Sequence, residues 1–346
     1  MHTLHCRTIP TTPPLLTPMS EAQIYCTLSE CANASLVTLT ATDSSPEFEE
    51  LIENWICSVR RVGIAPLLWA FDQSTHTKLL GRGDGVRSIL SADVQLFTQD
   101  LLNSYKRPPS RQYTSAVALK PRVIWRVLTL GFNVLFLDVD VALHQDPRPW
   151  LLKHGKTTAP HLQISLNLGN PEALGKQAID VNSGVVYLRT DPGSLAMVEL
   201  WSNRTARRFK CASWGCGDQE QLTRILKECG WRHIEQSQLL QHGGASGPLP
   251  NPRLVTDMTD NMQQKLGCHH LKGQHLRVDA LPPRYFSSGS TASIALWRRP
   301  NGLSGPSDLI SLHPTHLGTN SYVKEKLLRS LRPLNRPLWC ANTSLH

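Results

Sequence analysis

Two aspartates separated by one apolar residue, Asp138 and Asp140, close the apolar stretch Val134-Leu135-Phe136-Leu137 in the run LGFNVLFLDVDVAL, residues 130–143. Side chains two apart on an extended chain share a side, so this pair can hold one cation between them and repels itself without one. Carboxylate oxygens are hard donors that suit Mg²⁺ or Mn²⁺, and a metal held by few protein oxygens keeps positions for phosphate oxygens. The chemistry this favours is the departure of a diphosphate, whose developing negative charge a metal neutralises. A histidine can complete such a site, because imidazole suits Mn²⁺ better than Mg²⁺. His316 is the first candidate and His313 the alternative, both in LHPTHLG, with Lys324 beyond them able to meet a phosphate. A D-x-D can also be a plain solvated turn, but the apolar residues on either side of this one give charge little reason to be there except a ligand.

The elements that must position these residues can be read from the spacing of apolar residues. Leu36 to Thr40 is a β-branched strand. A helix starts at Ser45-Pro46-Glu47 and runs to Arg61, with Leu51, Ile52, Trp55, Ile56 and Val59 as its core face. Ala65 to Phe71 is a second strand, ending on Asp72, and strand-helix-strand at this spacing predicts a βαβ unit in a parallel sheet. Ligands of open α/β sheets gather beyond the carboxyl ends of strands, where Asp43, Asp72, Asp138 and Asp140 all fall. Gly81 to Gly85 is a loop without the order of a dinucleotide fingerprint. A short strand is expected near Val94 to Phe97. A long helix follows from about Ser115 to Leu130, carrying Lys120 and bent or interrupted at Pro121.

In the second half, Val181 to Leu188 reads as a strand with a polar knot, Asn182-Ser183-Gly184, near its start. Those residues suit sugar hydroxyls, since glycine lets a ligand approach the backbone; a β-bulge explains them equally well. Leu195 to Arg208 is a helix, and Asp218-Gln219-Glu220 opens another that runs to Cys229, where Asp218 could serve as an N-cap or as a functional carboxylate. Gly243 to Pro252 reads as a surface loop, Ile310 to Gly318 as a last strand entering the histidine loop, and Lys324 to Leu331 as a basic helix. Residues 1–33, rich in Thr and Pro, are expected to form a poorly ordered lead-in, with one domain over 34–333 and a tail over 334–346.

The 346 residues carry a net charge of +9, 40% hydrophobic and 18% charged residues, which is the balance of a globular chain with a sizeable core. The basic residues are scattered without an aromatic-interleaved stripe, so an anionic small molecule is a better partner than nucleic acid, and no nucleic-acid partner is expected. Nine cysteines leave at least one without an intrachain partner; none shows zinc spacing, and disulfides in an oxidising lumen are the better expectation. Sequons at Asn33, Asn203 and Asn342 fit a secreted location without deciding it. No apolar run approaches a membrane span and no signal peptide is visible, so the expectation is a soluble chain or one whose anchor lies outside this sequence.

FNVLFLDVDVALHQDP, VNSGVVYLRT, GDQEQL and LHPTHLGTNSYVKEKLLR, in that order over about residues 34–333, resemble the nucleotide-diphospho-sugar transferases of glycosyltransferase family 77, which includes plant and algal cell-wall xylosyl- and arabinosyltransferases. The segment NWICSVRRVGIAPLLWAFD fits the usual opening of that family. The resemblance implies an α/β fold of GT-A type: a Rossmann-like, mixed and mostly parallel sheet flanked by helices in a single domain. It implies Asp138 and Asp140 as ligands of Mn²⁺ or Mg²⁺ gripping the nucleotide diphosphate, with a loop histidine nearby. It places Asn182, Gly184, Asp218 and Gln219 around the donor sugar, with Asp218 and Gln219 as the catalytic pair; Thr40, Asp72, Lys120 and Lys324 join Asp138 as donor-binding residues. The function implied is transfer of a sugar, with a pentose such as xylose or arabinose favoured, from a nucleotide-sugar donor (a UDP-sugar) to a glycan or glycoprotein acceptor with retention, in the Golgi lumen. Family members are usually membrane-anchored, and this chain departs from them in showing no anchor. Two alternatives stand beside this reading: a haloacid-dehalogenase-like phosphatase using Asp138 as nucleophile, and a non-catalytic carbohydrate-binding relative.

Overall fold

The computed structural model describes residues 17–43, 46–95, 111–152, 160–167, 180–208, 217–231, 263–267, 271, 275–281, 285–289 and 310–314. The first element corrects an expectation: within the supposed lead-in, Glu21–Cys31 form helix α1. Ser20 and Gln23 close a reciprocal capping box, and Ile24 and Leu28 are buried in the main core. The S-x-x-Q signal was present in the sequence, and it outweighs the Thr/Pro composition around it.

Strand β1 (Leu36–Thr42) is buried along its whole length, as a strand covered on both faces must be. Helix α2 (Pro46–Arg61) follows and buries Leu51, Trp55, Ile56 and Val59, the stripe its spacing predicts. Then come β2 (Leu67–Ala70), α3 (Gln73–Leu80) and β3 (Arg87–Ile89). The strand expected near Val94 is instead a helical turn over 92–95, with the Gln95 N–H donating to the Ser91 carbonyl; residues 96 and 97 lie outside the described residues. Ser91 followed by Asp93 is a helix-start signal, and here it prevails over β-propensity.

Helix α4 (Arg111–Thr129) continues through Pro121 and delivers the chain into β4 (Asn133–Leu137). After β5 (Ala142–Leu143) and the short α5 (Arg148–Leu151) come β6 (Leu162–Asn167), β7 (Asp180–Leu188), α6 (Pro192–Arg208), α7 (Asp218–Glu228), β8 (Gln263–Gly267), β9 (His275–Ala280), β10 (Phe286–Gly289) and β11 (Ser311–Pro314). The main sheet has the order β3-β2-β1-β4-β7-β6-β9-β8. Its first four strands are parallel, the 3-2-1-4 order of a Rossmann-like half. Beyond β4 the pairings with β7, β6 and β8 are antiparallel and β6–β9 is parallel. With four of seven pairings parallel, the sheet is mixed and mostly parallel, the GT-A-type architecture expected.

Helices α1, α4, α6 and α7 cover one face through Leu28, Val123, Trp201 and Ile225. The other face is covered by α2, α3 and α5 through Trp55, Leu79 and Leu151. A second, three-stranded sheet, β10-β11-β5, sits beside the main one. Among the described residues no helix is long and apolar enough to cross a membrane. Cys26, Cys57 and Cys229 are disulfide-bonded, while Cys31 is a free thiol. The loop over 243–252 and the basic helix expected from Lys324 lie outside the described residues.

Candidate active site

The site is assembled at the end of β4. The Asp138 N–H donates to the Gly184 carbonyl of β7 (2.8 Å), and the Val141 N–H donates back to the Asp138 carbonyl (2.9 Å). This turn carries Asp138 and Asp140 past the sheet edge and feeds the chain directly into β5. β5 then pairs antiparallel with β11, Ala142 opposite Leu312. The pairing sets His313 beside the aspartates: its Nε2 lies 3.1 Å from Asp140 Oδ1 and 3.9 Å from Asp138 Oδ2. Ligand atoms of Asp138, Asp140 and His313 lie within 4.8 Å of one another.

The hydrogen bonds fix the imidazole tautomer. Asn182 Oδ1 accepts the Gly184 N–H (2.9 Å) and lies 2.9 Å from His313 Nδ1. An amide oxygen only accepts, so Nδ1 carries a proton and Nε2 is the nitrogen that faces the carboxylates. Ser288 Oγ, at 3.3 Å from the same Nδ1, is a second partner. To bind a metal an imidazole must be neutral, and a cation between Nε2 and the two carboxylates favours that form. An imidazole held through its far nitrogen by an amide is how proteins orient a metal ligand. Two carboxylates and one imidazole therefore fit Mn²⁺, or Mg²⁺ less well.

Lys120 of α4 is buried in the same cluster. Its Nζ lies 2.7 Å from Asp138 Oδ1 and 3.0 Å from Asp218 Oδ2, and it donates to the Ser183 carbonyl (3.3 Å) and hydroxyl (3.1 Å). Burial alone would lower its pKa, but Asp138 and Asp218 outweigh that and hold the ammonium above its ordinary value. Burial also raises the Asp138 carboxyl above its usual range, against the pull of Lys120. Three carboxylates, Asp138, Asp140 and Asp218, face one ammonium, so with His313 neutral the described cluster carries −2. One divalent cation balances that charge.

Asp218 opens α7 from a Gly217 cap, and the Trp201 indole N–H anchors its carbonyl (2.8 Å). Gln219 Oε1 accepts from Asn182 Nδ2 (3.2 Å) and the Ser183 N–H (3.4 Å). The polar knot is also a bulge: pairing with β6 jumps from Ile164–Val186 to Ser165–Asn182. The β-bulge reading of Asn182-Ser183-Gly184 holds, and the bulge sets Asn182 against His313 and Gln219. Gly184 is required by closeness: a Cβ there would overlap the His313 imidazole.

Of the expected site residues, the structure brings Asp138, Asp140, Lys120, Asn182, Gly184, Asp218, Gln219 and the alternative histidine, His313, into one cluster. His316 and Lys324 lie outside the described residues. Thr40 is buried in β1 with no hydrogen-bond partner for its hydroxyl among the described residues. Asp72 caps α3, accepting from the Thr75 N–H (2.8 Å) and hydroxyl (2.7 Å); neither it nor Thr40 bonds to the cluster. The contact of Ser183 with Lys120 and the place of Ser288 were not foreseen. Ser183 sat inside the polar knot, whereas nothing in FSSG marks Ser288.

A family model described as nucleotide-diphospho-sugar transferase matches residues 65–319. The chain is 25% identical over 190 residues to beta-arabinofuranosyltransferase RAY1 of Arabidopsis thaliana, covering 55% of this chain and 33% of that protein. It therefore spans about a third of the length of this curated relative. Solved structures resembling it include mouse xyloside xylosyltransferase 1 in its apo form (14% identity, 62% of this chain and 95% of that one, TM-score 0.36). Another is the galactosyltransferase LgtC with donor and acceptor sugar analogues (12% identity, 87% and 97%, TM-score 0.36). At these TM-scores the likenesses carry no weight of their own, and the fold rests on the strand order above.

Proposed function

The chain belongs to the nucleotide-diphospho-sugar transferases, and from that membership we propose that it moves a sugar from a nucleotide-diphospho-sugar to a glycan or glycoprotein acceptor with a divalent metal at Asp138, Asp140 and His313. The observation that carries the metal reading is the convergence of those three ligand atoms within 4.8 Å, with the imidazole Nε2 turned toward the carboxylates. Bound there, Mn²⁺ or Mg²⁺ would offset the charge developing on the leaving diphosphate.

The protein's own groups do the rest. Asn182 holds His313 in its metal-binding tautomer, and Lys120 balances Asp138 and Asp218. Gln219 ties the start of α7 to β7, keeping Asp218 on the sugar side of the cluster. Asp218 is the carboxylate available to a reaction with retention; a front-face departure guided by the leaving phosphate is the other route. UDP is the proposed nucleotide. A pentose is the proposed sugar, since the curated relative is named an arabinofuranosyltransferase. The disulfide-bonded Cys26, Cys57 and Cys229 support an oxidising compartment, for which we propose the Golgi lumen. The family match supports this reading over phosphatase chemistry at Asp138.

The test is a donor screen. UDP release from several UDP-pentoses and UDP-hexoses is measured with Mn²⁺, Mg²⁺ and chelator, for the wild type, Asp138→Asn and Asp140→Ala. We expect metal-dependent release, greatest with a pentose and lower by about a hundredfold or more in both variants. Failure of every nucleotide sugar to bind or turn over under any metal condition overturns the proposal.

A further inference from the structure

A buried ammonium inside a site shaped for a cation calls for a reason, since like charges repel and Lys120 lowers the attraction of the cluster for any metal. It is only 5% exposed, and its Nζ is shared among Asp138 Oδ1, Asp218 Oδ2 and the carbonyl and hydroxyl of Ser183. The oxygens of Asp138 are thereby divided. Oδ1 is taken by Lys120 at 2.7 Å, and Oδ2 is the one that faces His313 Nε2 at 3.9 Å.

We propose that Lys120 is a positioning residue that leaves Asp138 a single oxygen for the cation, weakening the grip on the bare metal and reserving coordination positions for the oxygens of a diphosphate. A carboxylate with both oxygens free can bind a cation through both, and each position so filled is lost to phosphate. Lys120 acts in the same sense through charge, because without it the described cluster would carry −3 instead of −2. The second carboxylate, Asp218, keeps the ammonium at that place from the far side. The inference rests on the divalent-cation reading of Asp138, Asp140 and His313 given above.

The test is Mn²⁺ affinity, followed by electron paramagnetic resonance of the free ion or by calorimetry, with UDP as the probe for the open positions. Lys120→Met is expected to bind Mn²⁺ about tenfold more tightly than the wild type, while its Mn²⁺-loaded form binds UDP less tightly. A lysine with only a structural role would give a variant that binds Mn²⁺ equally or more weakly. Because Lys120→Met leaves two buried carboxylates unbalanced and can fail to fold, Lys120→Met with Asp218→Asn is the second variant. It restores the charge while still freeing Asp138 Oδ1, so it too should hold Mn²⁺ more tightly than the wild type. Affinity equal to or below the wild type in whichever variant folds overturns the inference alone. A wild-type chain that takes up no Mn²⁺ overturns the metal reading and this inference together.

Discussion

At the scale of single residues, the site depends on contacts that tolerate almost no added volume. Gly184→Ala would push its methyl into the His313 ring, and the ring has nowhere to retreat because Asn182 and Ser288 hold Nδ1 from behind. Mn²⁺ affinity should fall by about tenfold or more with the circular dichroism spectrum unchanged, a loss calorimetry would detect. Asn182→Leu should act through the same ring. With only the Ser288 hydroxyl left at Nδ1, which can donate as well as accept, the tautomer is no longer fixed, and Mn²⁺ binding should weaken while the fold persists. The aspartate pair was legible from sequence because two charges at the end of an apolar strand are costly without a ligand. That His313 stands beside it was not, since LHPTHLG offers His313 and His316 with nothing local to choose between them. What sets His313 there is its place opposite the short strand after Asp140, a long-range pairing that no local spacing encodes.

At the scale of elements, strands and helices with strong apolar periodicity could be read directly: β1, α2, β4, β7 and α6 stand close to where their patterns put them. The misread segments were short ones in which a cap competed with composition, as at α1 and at residues 92–95. The crossing from a parallel to an antiparallel sheet at β4–β7 was not readable either, because a strand buried on both faces looks alike in both settings. Asp72 shows how a strand-end carboxylate can be absorbed by structure. Both its oxygens are bonded within the first turn of α3, so Asp72→Ala should cost about 1 kcal/mol in denaturant-unfolding stability. If capping is its whole task, UDP affinity in that variant stays at the wild-type value; a fall would give Asp72 a place at the donor.

At the scale of the whole molecule, buried imidazoles make stability depend on pH. Burial first, and then the nearby Arg61, lower His144 from 6.5 to about 4; burial lowers His76 and His161 in the same direction. A histidine whose folded pKa lies below its unfolded value stays neutral in the native state while the unfolded chain takes up protons. Its contribution is thus complete above about pH 6.5 and lost as pH falls toward 4, by at most about 3 kcal/mol for His144. Thermal melts from pH 7 to 4.5 should show this decline, and His144→Gln should flatten part of it. The small sheet that seats His313 has a further consequence, in time. β5 lies near the middle of the chain and β11 close to the end of the described residues, so the imidazole arrives only after a loop of about half the sequence has closed. During refolding, helical signal and tryptophan burial should recover first and Mn²⁺ capture last, which makes the ion a reporter of the final docking event.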